Sequence, residues 1–114
     1  MKQYEIWWAT LPQPAGRRPV LLLSRSSAYT YLNKSLVVEI TTTVRNLPVE
    51  ILLGKREGLA KTCAANFDNI HTVLTTTLSE RIGALSRYRH SDAKRALGYA
   101  LAWDELRAQP MTEE

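Results

Sequence analysis

Arg17 and Arg18 stand side by side between Gly16 and Pro19, directly ahead of the apolar run Val20-Leu21-Leu22-Leu23-Ser24. A guanidinium is planar and permanently charged, and its fork of N–H donors matches phosphate oxygens better than any other side chain. No carboxylate occurs from Ile6 to Val38, so no neighbour in sequence neutralises either arginine. The pair therefore points toward a polyanion. Two ordinary solvated arginines on a loop are the plain alternative, and these residues alone leave both readings open.

Other chemistries have little to work with. The chain has two histidines, His71 and His90, and neither stands at a zinc-type spacing with the single cysteine, Cys63. Cys63 lies in the apolar stretch Thr62-Cys63-Ala64-Ala65 and reads as a buried structural thiol rather than a nucleophile. The five glycines are scattered, so no phosphate-cradling glycine loop exists. His90 falls on the core-facing register of the last helix, while His71 sits in a predicted strand and can point into a groove. Neither a metal nor a cofactor is expected. What remains, arginine with Ser, Thr, Asp and Asn, suits one reaction in particular. RNA carries its own nucleophile, the 2′-hydroxyl beside each phosphate, whose attack needs no metal and no enzyme nucleophile. That reaction asks for a proton acceptor or polarising group near the 2′-hydroxyl, a donor near the 5′-oxygen, and cations to hold the charge on phosphorus. Arg18 can supply charge and bidentate hydrogen bonds. Thr41, at the end of a predicted strand, can donate to a phosphate oxygen. Within Thr41-Thr42-Thr43 it also has a plain reading, as a residue of high strand propensity.

The elements that must carry these residues follow from the pattern of the chain. Residues 4–10 alternate as a strand, with Tyr4, Ile6 and Trp8 on one face and Glu5, Trp7 and Ala9 on the other. Pro12, Pro14 and Gly16 break that pattern, so residues 11–16 form a connecting loop. Residues 20–25 read as a short apolar strand, and Ser26 or Ser27 caps a helical turn over residues 28–32 that Asn33 ends. Residues 36–43 are rich in β-branched side chains and predict a strand carrying Thr41. Leu47-Pro48 marks a turn, residues 49–53 a further strand, and residues 54–59 a charged loop with Lys55, Arg56 and Glu57. Residues 61–67 and 70–76 read as two strands separated by Asp68-Asn69. Thr77-Leu78-Ser79-Glu80 has the form of a capping box, which predicts a short helix to Ile82 that stops at Gly83. After an N-cap at Ser86, the residues Ala93, Ala96, Leu97, Ala100 and Leu101, joined by Trp103, form an apolar stripe at helical spacing. Gly98 within it costs about 1 kcal/mol relative to Ala. Residues 109–114 are expected to fray. Six short strands and few helices predict a mainly β domain, a small bent sheet closing on itself with the C-terminal helix over one end.

At 114 residues the chain suits one domain with one core. A single cysteine excludes an internal disulfide and fits a reducing cytosol. No run approaches the length of a membrane span, and Met1-Lys2-Gln3-Tyr4-Glu5 lacks a signal peptide's apolar core, so a cytoplasmic protein is expected. The net charge of +4 favours nucleic acid or an acidic protein as partner. So small a domain leaves little room for a deep pocket, which makes a loop-lined groove the expected working surface.

Three blocks in order carry a family resemblance: Gly16-Arg17-Arg18-Pro19-Val20-Leu21-Leu22-Leu23-Ser24, then Val38-Glu39-Ile40-Thr41-Thr42-Thr43, then Asn66-Phe67-Asp68-Asn69-Ile70-His71-Thr72-Val73. Glu5-Ile6-Trp7-Trp8 and Ile82-Gly83-Ala84-Leu85-Ser86 extend it. Residues 4–101 resemble the MazF/PemK group of bacterial toxin endoribonucleases, also called mRNA interferases. The resemblance implies a compact SH3-like β-barrel of about six strands with a C-terminal helix, working as a homodimer whose interface carries an RNA groove. It implies metal-independent cleavage of single-stranded RNA at short sequences, by 2′-hydroxyl attack, leaving 2′,3′-cyclic phosphate and 5′-hydroxyl ends. The family's proposed catalytic pair is the arginine before the proline of the second strand and a hydroxyl residue ending the third. These fall on Arg18 and Thr41. Arg17, Thr42, Asp68, Asn69 and His71 are the further residues expected to contact RNA. Some members also use the acid that falls on Asp68, with a basic residue where this chain has the uncharged Asn66. The position after Ala9, often acidic in relatives, is Thr10, and the loop over residues 11–16 is shorter than in many members, which bears on the sequence cut. Arginine stays protonated in proteins, so Arg18 is assigned to charge stabilisation at the phosphate, with the general base left open.

The resemblance also implies a cognate antitoxin whose acidic, initially disordered tail lies across the basic groove, and the charge of this chain suits that partner. Two other functions stay compatible with the residues. A CcdB-like poison of DNA gyrase shares the fold, needs no catalytic arginine and acts through its C-terminal helix, where Trp103 lies. The basic, acid-free run from Ile6 to Val38 favours RNA over that reading. A non-catalytic SH3-like adaptor would use Trp7, Trp8, Tyr29 and Tyr31 as a peptide-binding surface, although barrel core is the commoner fate of such aromatics.

Overall fold

Six strands, β1 (Glu5–Thr10), β2 (Arg17–Leu22), β3 (Lys34–Thr41), β4 (Glu50–Leu53), β5 (Cys63–Leu74) and β6 (Leu78–Ala84), build the computed structural model, which describes residues 1–110. They pair in the order β4-β5-β3-β2-β1-β6, each neighbour antiparallel. The strand β3 is thus an inner one, flanked by β2 and β5. A single helical turn, α1 (Ala28–Tyr31), links β2 to β3, and α2 (His90–Leu101) and α3 (Asp104–Arg107) follow the last strand. This is the mainly β architecture with a C-terminal helix that the sequence predicts. No helix of the described residues is long and apolar enough to cross a membrane.

The strands are apolar on both faces because both faces are covered. Ile6, Leu21, Val38, Ile40 and Phe67 point into the curl of the sheet and join Ala93 and Ala96 of α2 in the main core. The alternate residues Ala9, Val20, Leu22, Val37 and Val73 form a second core on the other face. It is completed by Leu11 and Ala15 of the loop after β1 and by Tyr29 of α1. The sheet curls until its two edges meet. Gly83 of β6 runs so close to the turn Lys55–Glu57 after β4 that a Cβ there would overlap the carbonyl oxygen of Glu57. That turn is fixed by the buried Glu57 carboxylate, which accepts from the Gly54 N–H at 2.7 Å.

Three expectations are corrected. Residues 61–67 and 70–76 are one strand, β5, and not two. The register on β3 jumps from Val38↔Ile70 to Ile40↔Ala65, so the turn-forming Asp68-Asn69 is absorbed as a bulge. The capping-box helix over residues 77–82 does not form. Thr75–Thr77 makes a 3₁₀ turn, and Leu78 onward becomes β6, because pairing with the open edge of β1 outweighs a local capping signal. Glu5 and Arg81 support that pairing across the two strands at 2.9 Å. Six strands are therefore found, as expected, with the sixth in another place. Finally, α2 ends at Leu101 with Ala102 in the left-handed region, which removes Trp103 from the helical stripe; Leu101 and Trp103 are 55% and 51% exposed. Gly98 is not merely a weak point, since a Cβ there would lie 2.5 Å from the backbone nitrogen of Arg107 in α3.

Ser86 caps the turn that leads into α2, its Oγ accepting from the Tyr88 N–H at 3.2 Å. Near the far end, Gln109 donates to the Glu105 carbonyl at 3.3 Å and the Pro110 carbonyl accepts from Arg95 at 3.2 Å. The rest of the segment expected to fray, residues 111–114, lies outside the described residues. His90 stacks on Tyr4 with ring centroids 3.9 Å apart, the packed histidine the helical register predicts. Burial holds its pKa below the ordinary imidazole value. The unfolded chain therefore binds this proton more readily than the folded one, so stability from this source is full above about pH 6.5 and is lost as pH falls below it. His90→Phe keeps the stack and should remove that part of the acid loss, read as urea midpoints at about pH 7.5 and about pH 5. An unchanged acid loss in the variant would refute the assignment.

Candidate active site

Three adjacent strands each bring one polar side chain to the face of the second core. Arg18 comes from β2, Glu39 from β3 and His71 from β5. Val20 pairs with Glu39, and extending that register by two residues sets Arg18 level with Thr41. Val37 pairs with His71, which puts His71 diagonal to Glu39. The side chains follow the register: Arg18 Nη1 donates to Glu39 Oε1 at 2.6 Å, and His71 Nε2 lies 3.0 Å from Glu39 Oε2. A carboxylate only accepts, so Nε2 carries the hydrogen of that second bond. Arg18 Nε also donates to the Ala15 carbonyl at 2.9 Å, so the loop after β1 fixes the plane of the guanidinium.

Glu39 lies between two hollows. One, about 510 Å³, is lined by Pro12, Gln13, Pro14 and Ala15 together with Arg18 and His71. The other, about 150 Å³, is lined by Thr41, Arg45, Glu50, Asn66 and Asn69. Both hollows are lined by Glu39 and lie across β2, β3 and β5; together they make a trough that is polar around Thr41 and largely apolar beside the loop after β1. Thr41 Oγ1 accepts from the Thr43 N–H at 3.1 Å, which leaves its own O–H available to donate. Asn66 Oδ1 accepts from the Asp68 N–H at 2.9 Å and holds the β5 bulge in which Asn69 lies. Glu50 Oε1 accepts from the backbone N–H groups of Arg45 and Leu47 at 3.0 and 3.2 Å. The side chains of Arg18, Glu39 and His71 are 28%, 15% and 29% exposed, sheltered from bulk solvent yet open to a ligand.

Of the residues expected at the site, Arg18, Thr41, Asn69 and His71 meet along this trough. Arg17 and Thr42 lie elsewhere, because alternation along the chain sends them to the opposite face. The Arg17 guanidinium sits 4.3 Å from the Trp8 ring centroid, a cation–π contact. Thr42 and Trp8 line a separate, mostly apolar hollow of about 330 Å³ with Pro19 and Ile40. Asp68 is exposed and lines neither half of the trough. Cys63 is buried, its Sγ donates to the Lys61 carbonyl at 3.3 Å, and burial pushes its thiol pKa up, the setting of an unreactive thiol. Among the described residues no group of three or more His, Cys, Asp or Glu side chains is arranged to hold a metal ion.

Glu39 is the residue that sequence reasoning missed. It also corrects the expectation that nothing nearby neutralises Arg18, since the first carboxylate after the acid-free run folds directly onto it. A signal was present. Glu39 is a charged residue within the apolar run Leu36-Val37-Val38-Glu39-Ile40, two residues before Thr41 and so on its face.

The chain and its fold match known proteins. Residues 2–101 match the family described as PemK-like, MazF-like toxin of type II toxin–antitoxin system. The chain is 38% identical over 98 residues to the probable endoribonuclease MazF2 of Mycobacterium tuberculosis, covering 85% of this chain and 94% of that protein. Among solved structures it is similar to the Mycobacterium tuberculosis toxin MazF-mt6, with a TM-score of 0.81 and 32% identity over 86% of this chain and 96% of that one. A mycobacterial endoribonuclease in complex with its cognate antitoxin shares the fold, with a TM-score of 0.79 and 23% identity over 90% and 96% of the two chains. The family match runs from ahead of β1 to the end of α2, and on that ground the chain belongs to the PemK/MazF toxins of type II toxin–antitoxin systems.

Proposed function

We propose that this chain is a toxin endoribonuclease that cuts single-stranded RNA at short sequences without a metal. The 2′-hydroxyl attacks the adjacent phosphorus, leaving a 2′,3′-cyclic phosphate and a 5′-hydroxyl. The observation that carries this reading is that Arg18 and Thr41 stand level on adjacent strands, on the face that also carries Glu39 and His71. Arg18 holds the charge that grows on phosphorus, and the Thr41 O–H donates to a phosphate oxygen. Asn69 contacts the RNA beside Thr41. Arg17, Thr42 and Asp68, lying outside the trough, contact RNA that extends beyond the scissile phosphate. Two copies of the chain form the working homodimer in the cytoplasm, as the resemblance implies, and a cognate antitoxin with an acidic tail covers the trough. The net charge of +4 supports both the RNA and the acidic partner.

The other readings draw less from the structure. Trp103 stands beyond α2 and off its packed stripe, which weakens a gyrase-poisoning role for the last helix. Trp7 and Tyr29 pack on the second core while Tyr31 is 83% exposed, so the aromatics do not make one peptide-binding surface. The test is cleavage of total RNA by the purified chain in EDTA, beside an all-deoxy strand and a gyrase supercoiling assay. Cut RNA with intact DNA and unaffected gyrase is the expected result. Poisoned gyrase with intact RNA would overturn the proposal. In the same assay Thr41→Val, which keeps the strand's β-branching, should slow cleavage by about a hundredfold, the cost of one oxyanion donor. A variant cutting at the parental rate would remove Thr41 from the machinery.

A further inference from the structure

We propose that Glu39 is the general base and His71 the general acid of RNA cleavage, working with Arg18 as one unit; the assignment rests on the ribonuclease reading above. Stability does not explain the placement of these three side chains. Glutamate is a poor strand residue, yet Glu39 sits on an inner strand opposite Val20 and two residues from Val37, where an apolar side chain would extend the second core. An ion pair sheltered to this degree must offset the cost of taking its charges out of water, so it is weak ground for stability. What the arrangement does provide is position: three strands of a rigid sheet, each contributing one functional group within hydrogen-bond distance of the next.

The chemistry selects the same residues. The reaction needs a proton acceptor beside the 2′-hydroxyl and a donor beside the 5′-oxygen. Beside prolines and Ala15, the trough is lined by arginine, threonine, asparagine, glutamine, glutamate and one histidine, and the glutamine, like asparagine, exchanges no proton. Arginine and threonine are poor proton acceptors, and asparagine does not exchange a proton at all. Of the two glutamates, Glu50 accepts two backbone N–H groups at Oε1, its Oε2 is buried without a partner, and no hydrogen bond joins it to Arg18. Glu39, in contact with Arg18, is the acceptor at the site of charge stabilisation, and His71 is the imidazole beside it.

The scissile phosphate enters between Glu39 and His71 and takes the Arg18 Nη1 donor that now serves Glu39. Glu39 removes the 2′-hydroxyl proton as the new O2′–P bond forms. The P–O5′ bond breaks, and protonated His71 gives its Nε2 hydrogen to the departing 5′-oxygen. At that point Glu39 carries one proton and His71 is neutral. When the product leaves, the pair closes to the observed 3.0 Å contact, and the proton passes from Glu39 Oε2 to His71 Nε2. The cycle balances with no outside acid or base, and the short contact in the free chain is its reset path.

The test uses a short RNA containing a cut site mapped on total RNA, and the same RNA with the bridging 5′-oxygen of the scissile phosphate replaced by sulfur. A thiolate leaves without protonation, so the sulfur substrate does not need a general acid. On ordinary RNA, Glu39→Gln and His71→Gln should each cut about a thousandfold more slowly than the parent, within the range of acid–base catalysis. On the sulfur substrate, His71→Gln should recover to within about tenfold of the parent while Glu39→Gln stays slow. Thermal melts of both variants establish that the fold is kept. A Glu39→Gln variant at the parental rate, a His71→Gln variant that sulfur does not rescue, or equal rescue of both would each overturn the assignment. A parent that leaves the ordinary RNA intact would instead sink the ribonuclease reading, and this assignment with it.

Discussion

Arg18→Ala is expected to cut RNA about a thousandfold more slowly than the parent or worse, with the barrel intact, as for other cations that stabilise phosphoryl charge. The size of the effect follows from how the side chain is held. Its Nε is tied to the Ala15 carbonyl and its Nη1 to Glu39, so the guanidinium is oriented before any RNA arrives. Such preorganisation means little reorganisation accompanies charge development at phosphorus. Arg18→Lys should recover little, since an ammonium cannot hold Ala15, Glu39 and a phosphate in the same planar fork. The fold should survive because the backbone pairing of Arg18 with Ala9 does not depend on the side chain. Glu39 keeps its contact with His71 when the arginine is removed, so the sheltered carboxylate is not left without a partner. Initial rates on one mapped RNA and a urea melt of each variant check both halves. Cleavage by Arg18→Ala within tenfold of the parent would remove Arg18 from the chemistry.

The largest stability effect is expected far from the trough, at Gly83. Gly83→Ala should destabilise the chain by about 3 kcal/mol or more, the upper range of overpacking. The added methyl would overlap the Glu57 carbonyl oxygen and stand 2.8 Å from its carbon, against backbone that cannot rotate away as a side chain would. Relief requires parting β6 from the turn after β4, and that contact is where the two edges of the sheet meet. Glu57 is buried there, so the shift also disturbs the carboxylate that holds Gly54. Gly54, by contrast, has open space around its Cβ position, which makes Gly54→Ala the control with a small effect. Urea midpoints of the two variants decide the matter. Equal midpoints would mean that the edge contact contributes nothing to closure.

Much of this architecture is legible along the chain because alternation and helical spacing are local. The apolar strands around Val20 and Val38 and the stripe Ala93, Ala96 and Leu97 report burial directly, since each is covered on the side its period predicts. Where reading failed, a distant partner decided. Nothing within residues 77–82 reveals that the open edge of β1 will draw them into a strand, nor that Asp68-Asn69 will be carried as a bulge because β3 pairs on both sides of it. Gly98 reads as a helix weakness until α3 is seen folding back across it. The site divides in the same way. Arg18 and Thr41 stand out by residue type and by resemblance, but Glu39 acquires meaning only through its contacts with β2 and β5. Arg17 and Arg18 look equivalent in sequence, and the two-residue period of the strand separates them.

The central claim is that RNA is cut by its own 2′-hydroxyl at the Arg18 trough. It is tested most directly by one substitution in the substrate. Once a cut site is mapped, two RNAs are compared in EDTA, identical except that one lacks the single 2′-hydroxyl on the 5′ side of the scissile phosphate. The account predicts cleavage of the first, with a 2′,3′-cyclic phosphate on the upstream fragment, and no cleavage of the second at that bond. Cutting of both at similar rates, or a product ending in a simple 3′-hydroxyl, would contradict it.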